Sequence, residues 1–270
     1  MAETPFAHID DYCNALKLDF SSEEFAALCE QNSFTPETIA AVELVFEYLK
    51  EKKAEITINT LLKLSRLPLK VPKTFENFDF SVIRGRDLDK LRRLPSLASI
   101  YAHKNLAFIG PVGTGKTHLA QAFGYACCQN GLKTYFIKMT ELRDKFTAAR
   151  RGGNEASALN ALIRPSCLII DEVGHCEFDK ENTRLFFDMI DRRYNKDGAF
   201  NIVFTSNKNP SLWRSNFSED DALLCALDRI FDDAIVFNIK GDSYRGKRLE
   251  TVSLQAGRVV THHPAELPTT

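Results

Sequence analysis

The chain has 270 residues, 44% of them hydrophobic and 26% charged, with a formal net charge of −1. This composition fits a water-soluble fold with room for one large domain and a small one, and excludes an intrinsically disordered chain or a uniformly polybasic one. No apolar run approaches the ~20 residues of a membrane span, and the opening Met-Ala-Glu-Thr-Pro lacks the basic-then-apolar order of a signal peptide.

In chain order, charge first splits the N-terminal third. Residues 1–60 hold 12 acidic and 4 basic side chains, a balance of −8, and residues 61–104 hold 10 basic and 4 acidic, a balance of +6. The acidic block reads as helical. Ser21-x-x-Glu24 is a capping box, and Thr35-Pro36 sets a cap and an N1 proline before a helix to about Lys53. A further helix is expected from about Asn59 to Leu67, after which Leu67-Pro68-Leu69-Lys70-Val71-Pro72-Lys73 breaks the pattern. The expected organisation is a helical N-terminal domain at 1–67 and a basic linker with connecting helices at 68–104.

From Asn105 onward strands alternate with helices. Strands are expected at Asn105–Ile109, Thr134–Lys138, Cys167–Asp171, Phe200–Thr205 and Ala234–Ile239. The alternation implies an α/β fold, a five-stranded parallel sheet with helices on both faces, over 105–250. Residues 251–270 have no periodicity and read as a disordered tail. The seven cysteines are odd in number and form no C-x-x-C pair. Several lie in apolar runs, so they read as reduced core residues of a cytoplasmic protein.

The first strand runs into Gly110-Pro111-Val112-Gly113-Thr114-Gly115-Lys116-Thr117, which fits G-x-x-x-x-G-K-[ST]. Glycines let successive N–H groups turn inward on a triphosphate. Lys116 adds charge at the β/γ-phosphates, and the Thr117 hydroxyl reaches Mg²⁺. The third strand ends in Asp171-Glu172. At this position after a P-loop, Asp171 would hold Mg²⁺ and Glu172 would act as general base on the attacking water. After the second strand, Glu141–Arg151 reads as a helix closed by Gly152-Gly153. Leu142, Phe146 and Ala149 share its inner face, and Arg143 and Arg150, seven apart, point elsewhere together. Arg143, Lys145, Arg150 and Arg151 are the candidate phosphate contacts; a merely solvated basic face is the alternative.

Beyond these motifs, further segments in order carry a family resemblance: Asp11–Leu18, Phe75-Glu76-Asn77-Phe78-Asp79-Phe80, Gly113–Ala120, Ile169–Gly174, Asp191-Arg192-Arg193-Tyr194, Thr205-Ser206-Asn207-Lys208, Leu227-Asp228-Arg229-Ile230 and Asn238–Arg245. Together they resemble the AAA+ ATPases of the initiator clade, and within them the IstB-like helper ATPases of insertion-sequence transposition. The DnaC helicase loaders are more distant. The resemblance runs from about residue 10 to 250. It implies ATP and Mg²⁺ as cofactors, His118 beside the nucleotide, Asn207 as a water-positioning sensor, Arg229 as an arginine finger offered to a neighbouring subunit, and Arg245 as a second sensor from a reduced or absent lid. An ion pair with Asp228, Asp232 or Asp233 is the alternative for Arg229.

A finger supplied in trans implies head-to-tail oligomers whose assembly follows ATP binding and hydrolysis. The implied partners are duplex DNA, held largely without sequence preference, and a transposase, the acidic N-terminal block facing a protein. The competing readings are a helicase loader of the same fold, a small-molecule kinase, and a nucleotide-gated scaffold without turnover. The intact Glu172 disfavours the last.

Overall fold

A computed structural model describes residues 6–243 apart from 86, 219 and 242. Arg245 and the 251–270 tail lie outside the described residues, as does the expected reduced lid.

Apolar side chains occupy both faces of the strands, so each face needs a helical cover. β1 (Leu106–Ile109), β2 (Thr134–Lys138), β3 (Cys167–Asp171), β4 (Asn201–Ser206) and β5 (Ile235–Asn238) form one parallel sheet in the order β2-β3-β4-β1-β5. Period-two alternation sorts the strand residues. Ala107, Ile109, Leu168, Ile170, Ile202 and Phe204 enter one core; Leu106, Phe108, Cys167, Ile169 and Val203 enter the other. The first core is closed by α7 (Met139–Arg151), α8 (Glu155–Ile163), α9 (Lys180–Tyr194) and α10 (Asp220–Phe231). The second is closed by α6 (Lys116–Gln129) and by the segment bearing α4 (Leu88–Arg92) and α5 (Ala98–Tyr101). No helix among the described residues is long and apolar enough to cross a membrane. Six of the cysteines are buried and unbridged.

The N-terminal region is helical. α1 (Ala7–Leu16), α2 (Ser22–Gln31) and the start of α3 (Pro36–Leu64) enclose a small core of Ile9, Cys13, Phe25 and Cys29. Ser21 and Glu24 form both halves of the capping box, and the Thr35 hydroxyl caps α3. The two expected helices, to Lys53 and from Asn59, are one helix of 29 residues. No glycine or proline interrupts residues 37–64, and the β-branched Ile56-Thr57-Ile58 costs only tenths of a kcal/mol each, about 0.5 or less. The Thr57 and Thr60 hydroxyls donate to the carbonyls of Lys53 and Ile56, 2.8 Å each, without breaking the helix. Leu61 and Leu62 then pack against the second sheet core, so α3 carries the N-terminal core to the sheet.

One buried cation fastens α9 to the sheet. The Arg193 guanidinium is 1% exposed. It donates to the carbonyls of Leu162, Ile163, Pro165, Ser166 and Asn201 at 2.7–3.1 Å. Burial pulls its pKa down to about 10, so it remains charged at neutral pH. Arg193→Met should lower stability by about 3–5 kcal/mol, because it removes five hydrogen bonds to backbone carbonyls at once, those of Leu162, Pro165 and Asn201 being buried. A urea melt checks this. Arg193→Lys should recover little, since an ammonium cannot span the same fork.

Candidate nucleotide site and the surface carrying Arg229

The sheet order puts β4 between β1 and β3, so the ends of three strands converge at the carboxyl edge, where open α/β sheets bind ligands. The loop after β1 turns over this edge into α6. Gly115 caps α6 with φ 90° and no side chain makes a capping hydrogen bond to its first turn, which leaves those N–H groups available at the loop. A Cβ at Gly115 would also sit 2.8 Å from the Phe78 ring. A Cβ at Gly113, where φ is 82°, would collide with the Ser243 side chain. Lys116 Nζ donates to the Pro111 carbonyl at 2.6 Å.

Thr117 Oγ1 lies 2.9 Å from Asp171 Oδ1, and Thr205 Oγ1 donates to the same carboxylate oxygen at 2.5 Å. The Thr205 hydroxyl also accepts from the Glu172 backbone N–H at 3.0 Å. Thr205 thereby ties the end of β3 to β4. Burial pushes the Asp171 carboxyl above its ordinary pKa, against the pull of its two threonine bonds. Glu172 turns away at φ 62°, a left-handed conformation unusual for a non-glycine residue. Its carboxylate meets Lys138 Nζ, from the end of the neighbouring strand, at 3.2 Å.

Thr117, Glu172 and Thr205 line a cavity of about 420 Å³ together with Lys73, Gly113, Gly115, Lys116, His118, His175, Ser206 and Asn207. His118 is half-buried. Its Nε2 lies 2.9 Å from the Thr74 carbonyl, its ring packs edge-on against Phe78, and burial lowers its pKa. Thr205, Lys138, His175 and Phe78 carry no expected site role in the sequence; Thr205 and Phe78 stand only within segments of the family resemblance. The contact of Thr205 with Asp171 follows from strand order.

The donor set fits Mg²⁺. Two hard oxygens, on Thr117 and Asp171, meet at one point, and Mg²⁺ typically takes one or two protein ligands beside phosphate and water. Among the described residues no group of three or more His, Cys, Asp or Glu could form a metal cage by itself.

Arg229 is elsewhere. It lines a separate cavity of about 100 Å³ with His103, Asn105, Phe200 and Ile202, where β1 and β4 begin. It is thus a full strand from its own P-loop, roughly 13 Å at ~3.3 Å per residue. Its Nη2 meets Asp191 Oδ1 at 3.2 Å, and its guanidinium lies 5.4 Å from the Phe187 ring centroid. The carboxylate comes from α9, not from the nearby Asp228, Asp232 or Asp233.

The α7 arginines depart from the expected projecting pair. Leu142, Phe146 and Ala149 are buried as the periodicity requires. Arg150, however, folds back: Nη1 donates to both Asp179 carboxylate oxygens at 2.8 Å and to Asn182 Oδ1 at 3.0 Å. Asp179 is the N-cap of α9, so the helix end fixes its carboxylate, and that carboxylate holds Arg150 in place. Arg143 pairs with the adjacent Asp144 at 2.8 Å. Lys145 is partly exposed and Arg151 exposed.

The chain is 36% identical over 248 residues to a Geobacillus stearothermophilus protein named for insertion sequence IS5376 and for ATP binding, covering 90% of this chain and 96% of the relative. Its fold is similar to AMPPCP-bound DnaA from Aquifex aeolicus, with TM-score 0.53 and 21% identity over 66% of this chain and 52% of that one. It is also similar to a DnaC helicase loader, with TM-score 0.51 and 20% identity over 62% of this chain and 97% of that one. The chain spans about half the length of that DnaA, so the likeness concerns the P-loop AAA+ fold alone. The family described as IstB-like ATP binding protein matches residues 13–251, and the chain belongs to it.

Proposed function

We propose that this protein is a Mg²⁺-dependent ATPase that assembles head-to-tail on duplex DNA and regulates a transposase, ATP hydrolysis timing its disassembly. The observation that carries the reading is the division of its chemistry. The P-loop, Asp171, Glu172 and Asn207 lie at one edge of the sheet and Arg229 lines a cavity at the other, so an Arg229 finger would serve a neighbour's nucleotide.

The N–H groups of Gly113–Lys116 would cradle the phosphates, and the Lys116 ammonium would exchange the Pro111 carbonyl for the β/γ-phosphates. Thr117 and Asp171 would hold Mg²⁺, which when bound neutralises developing phosphate charge. Glu172 would orient water and accept its proton, with Asn207 helping to place that water. His118 would flank the nucleotide, and Arg245 would complete the γ-phosphate contacts. The helicase-loader alternative rests on a likeness of fold, whereas the 36% identity is to an insertion-sequence protein, which supports the transposition reading.

DNA contact is proposed for Arg143, Lys145 and Arg151, with Arg150 contributing if it exchanges Asp179 for phosphate. ATP should promote binding to duplexes of unrelated sequence alike, and log affinity should fall linearly with log salt. Replacing Arg143, Lys145 and Arg151 with Glu should weaken binding at least tenfold in a fluorescence-anisotropy titration. Unchanged affinity would move the DNA surface off α7. Preference for single strands would return the loader reading.

A further inference from the structure

We propose that Asp191 is a positioning residue that presets Arg229 for the nucleotide of the adjacent subunit; the inference rests on reading Arg229 as a finger in trans. Phe187, Asp191 and Tyr194 stand four and three residues apart on α9, so they share one helix face. The ring of Phe187 lies beneath the Arg229 guanidinium at 5.4 Å, and Asp191 Oδ1 meets Nη2 at 3.2 Å. The two contacts restrict different motions: the ring restricts the guanidinium's tilt and the carboxylate its rotation in the plane.

The backbone that carries Arg229 is fastened on the same ledge. Tyr194 donates its hydroxyl to Asp232 Oδ2 at 2.8 Å. The Asn105 amide donates to the Ile230 carbonyl at 2.9 Å, and Lys104 pairs with Asp233 at 2.9 Å. The ledge is itself immobilised, because Arg193, between Arg192 and Tyr194, spans five backbone carbonyls beneath it.

The Arg229 and Asp191 side chains are 32% and 36% exposed. A pair this open contributes little to folding, so its value lies in geometry. An unrestrained arginine carries large rotamer entropy, which it would lose on engaging a transition state. Asp191 removes much of that freedom beforehand. The loss on deleting it should fall on kcat, because the ATP is bound by another subunit's P-loop.

The test is steady-state ATP hydrolysis by the full chain on random-sequence duplex. Asp191→Ala should lower kcat about three- to tenfold with KM for ATP within about twofold, and Asp191→Glu should restore most of it. Phe187→Leu should show the same split and provides a second reading should Asp191→Ala unfold, which a thermal melt detects. Equimolar mixing with Lys116→Ala supplies intact fingers on subunits that cannot bind ATP, so activity per intact P-loop should rise above that of Asp191→Ala alone. A wild-type kcat, a loss confined to KM, or no gain on mixing would overturn the assignment. Arg229→Ala run in parallel separates the two ideas. If it hydrolyses ATP normally, the finger reading fails. If it is inactive alone and recovers on mixing while Asp191→Ala behaves as wild type, only the role of Asp191 fails.

Discussion

Arg229→Ala should reduce ATP turnover by about 10³-fold or more, the range of an arginine finger acting on phosphoryl transfer. ATP affinity measured by fluorescent-nucleotide titration should change little, because no residue of the P-loop cavity is touched. The split between rate and affinity separates a finger from a packing residue. The Asp191 pair is too exposed for its loss to unfold the chain, so a matching thermal melt should accompany the lost turnover. Arg229→Lys should recover little, since a single ammonium cannot match the planar fork. Phosphate release that persists near the wild-type rate would leave Arg229 as a surface ion pair.

The P-loop segment and the Asp171-Glu172 strand end were legible in the sequence as candidates, and the fold brings Thr117 and Asp171 together. A phosphate loop demands its glycines and Lys116, and a strand ending in Asp171-Glu172 after such a loop has few other readings. The sheet strands were legible too, because parallel strands buried on both faces are continuous apolar runs; the structure shifts their ends by one residue at most. What was not legible depends on which strands become neighbours. Thr205 matters because β4 lies between β1 and β3, which brings its hydroxyl to Asp171. Lys138 meets Glu172 because β2 pairs with β3. Lys138 has no local signature, and the segment that holds Thr205 draws notice only for Asn207. A helical wheel likewise gave the inner face of α7 correctly but could not show that Arg150 would find the cap of α9. The break expected within α3 failed for the opposite reason: a run of β-branched residues is a weak penalty, and packing at both ends of the helix outweighs it.

Glu172→Gln should retain ATP binding and lose turnover by about 10²- to 10⁴-fold, the usual contribution of a positioned general base. The amide keeps the size of the side chain but cannot take a proton from water at neutral pH. Its backbone anchor, the N–H donated to Thr205, is unchanged by the substitution. Loss of the Lys138 ion pair is the other change, and with both side chains nearly half exposed it should cost little stability. If ATP closes the interface and hydrolysis opens it, this variant should also remain in the assembled state long after wild type has dispersed. Retained phosphate release would remove Glu172 from the role of base.

The central claim is that one subunit's P-loop and another's Arg229 make a single site. Its most direct test is the mass of Glu172→Gln in solution with ATP, with ADP and without nucleotide, on duplex DNA and free of it, beside the same protein carrying Arg229→Ala. The account predicts ATP-dependent oligomers that duplex DNA enlarges, that ADP does not support, and that Arg229→Ala weakens. A protein that stays monomeric under every one of these conditions would contradict it.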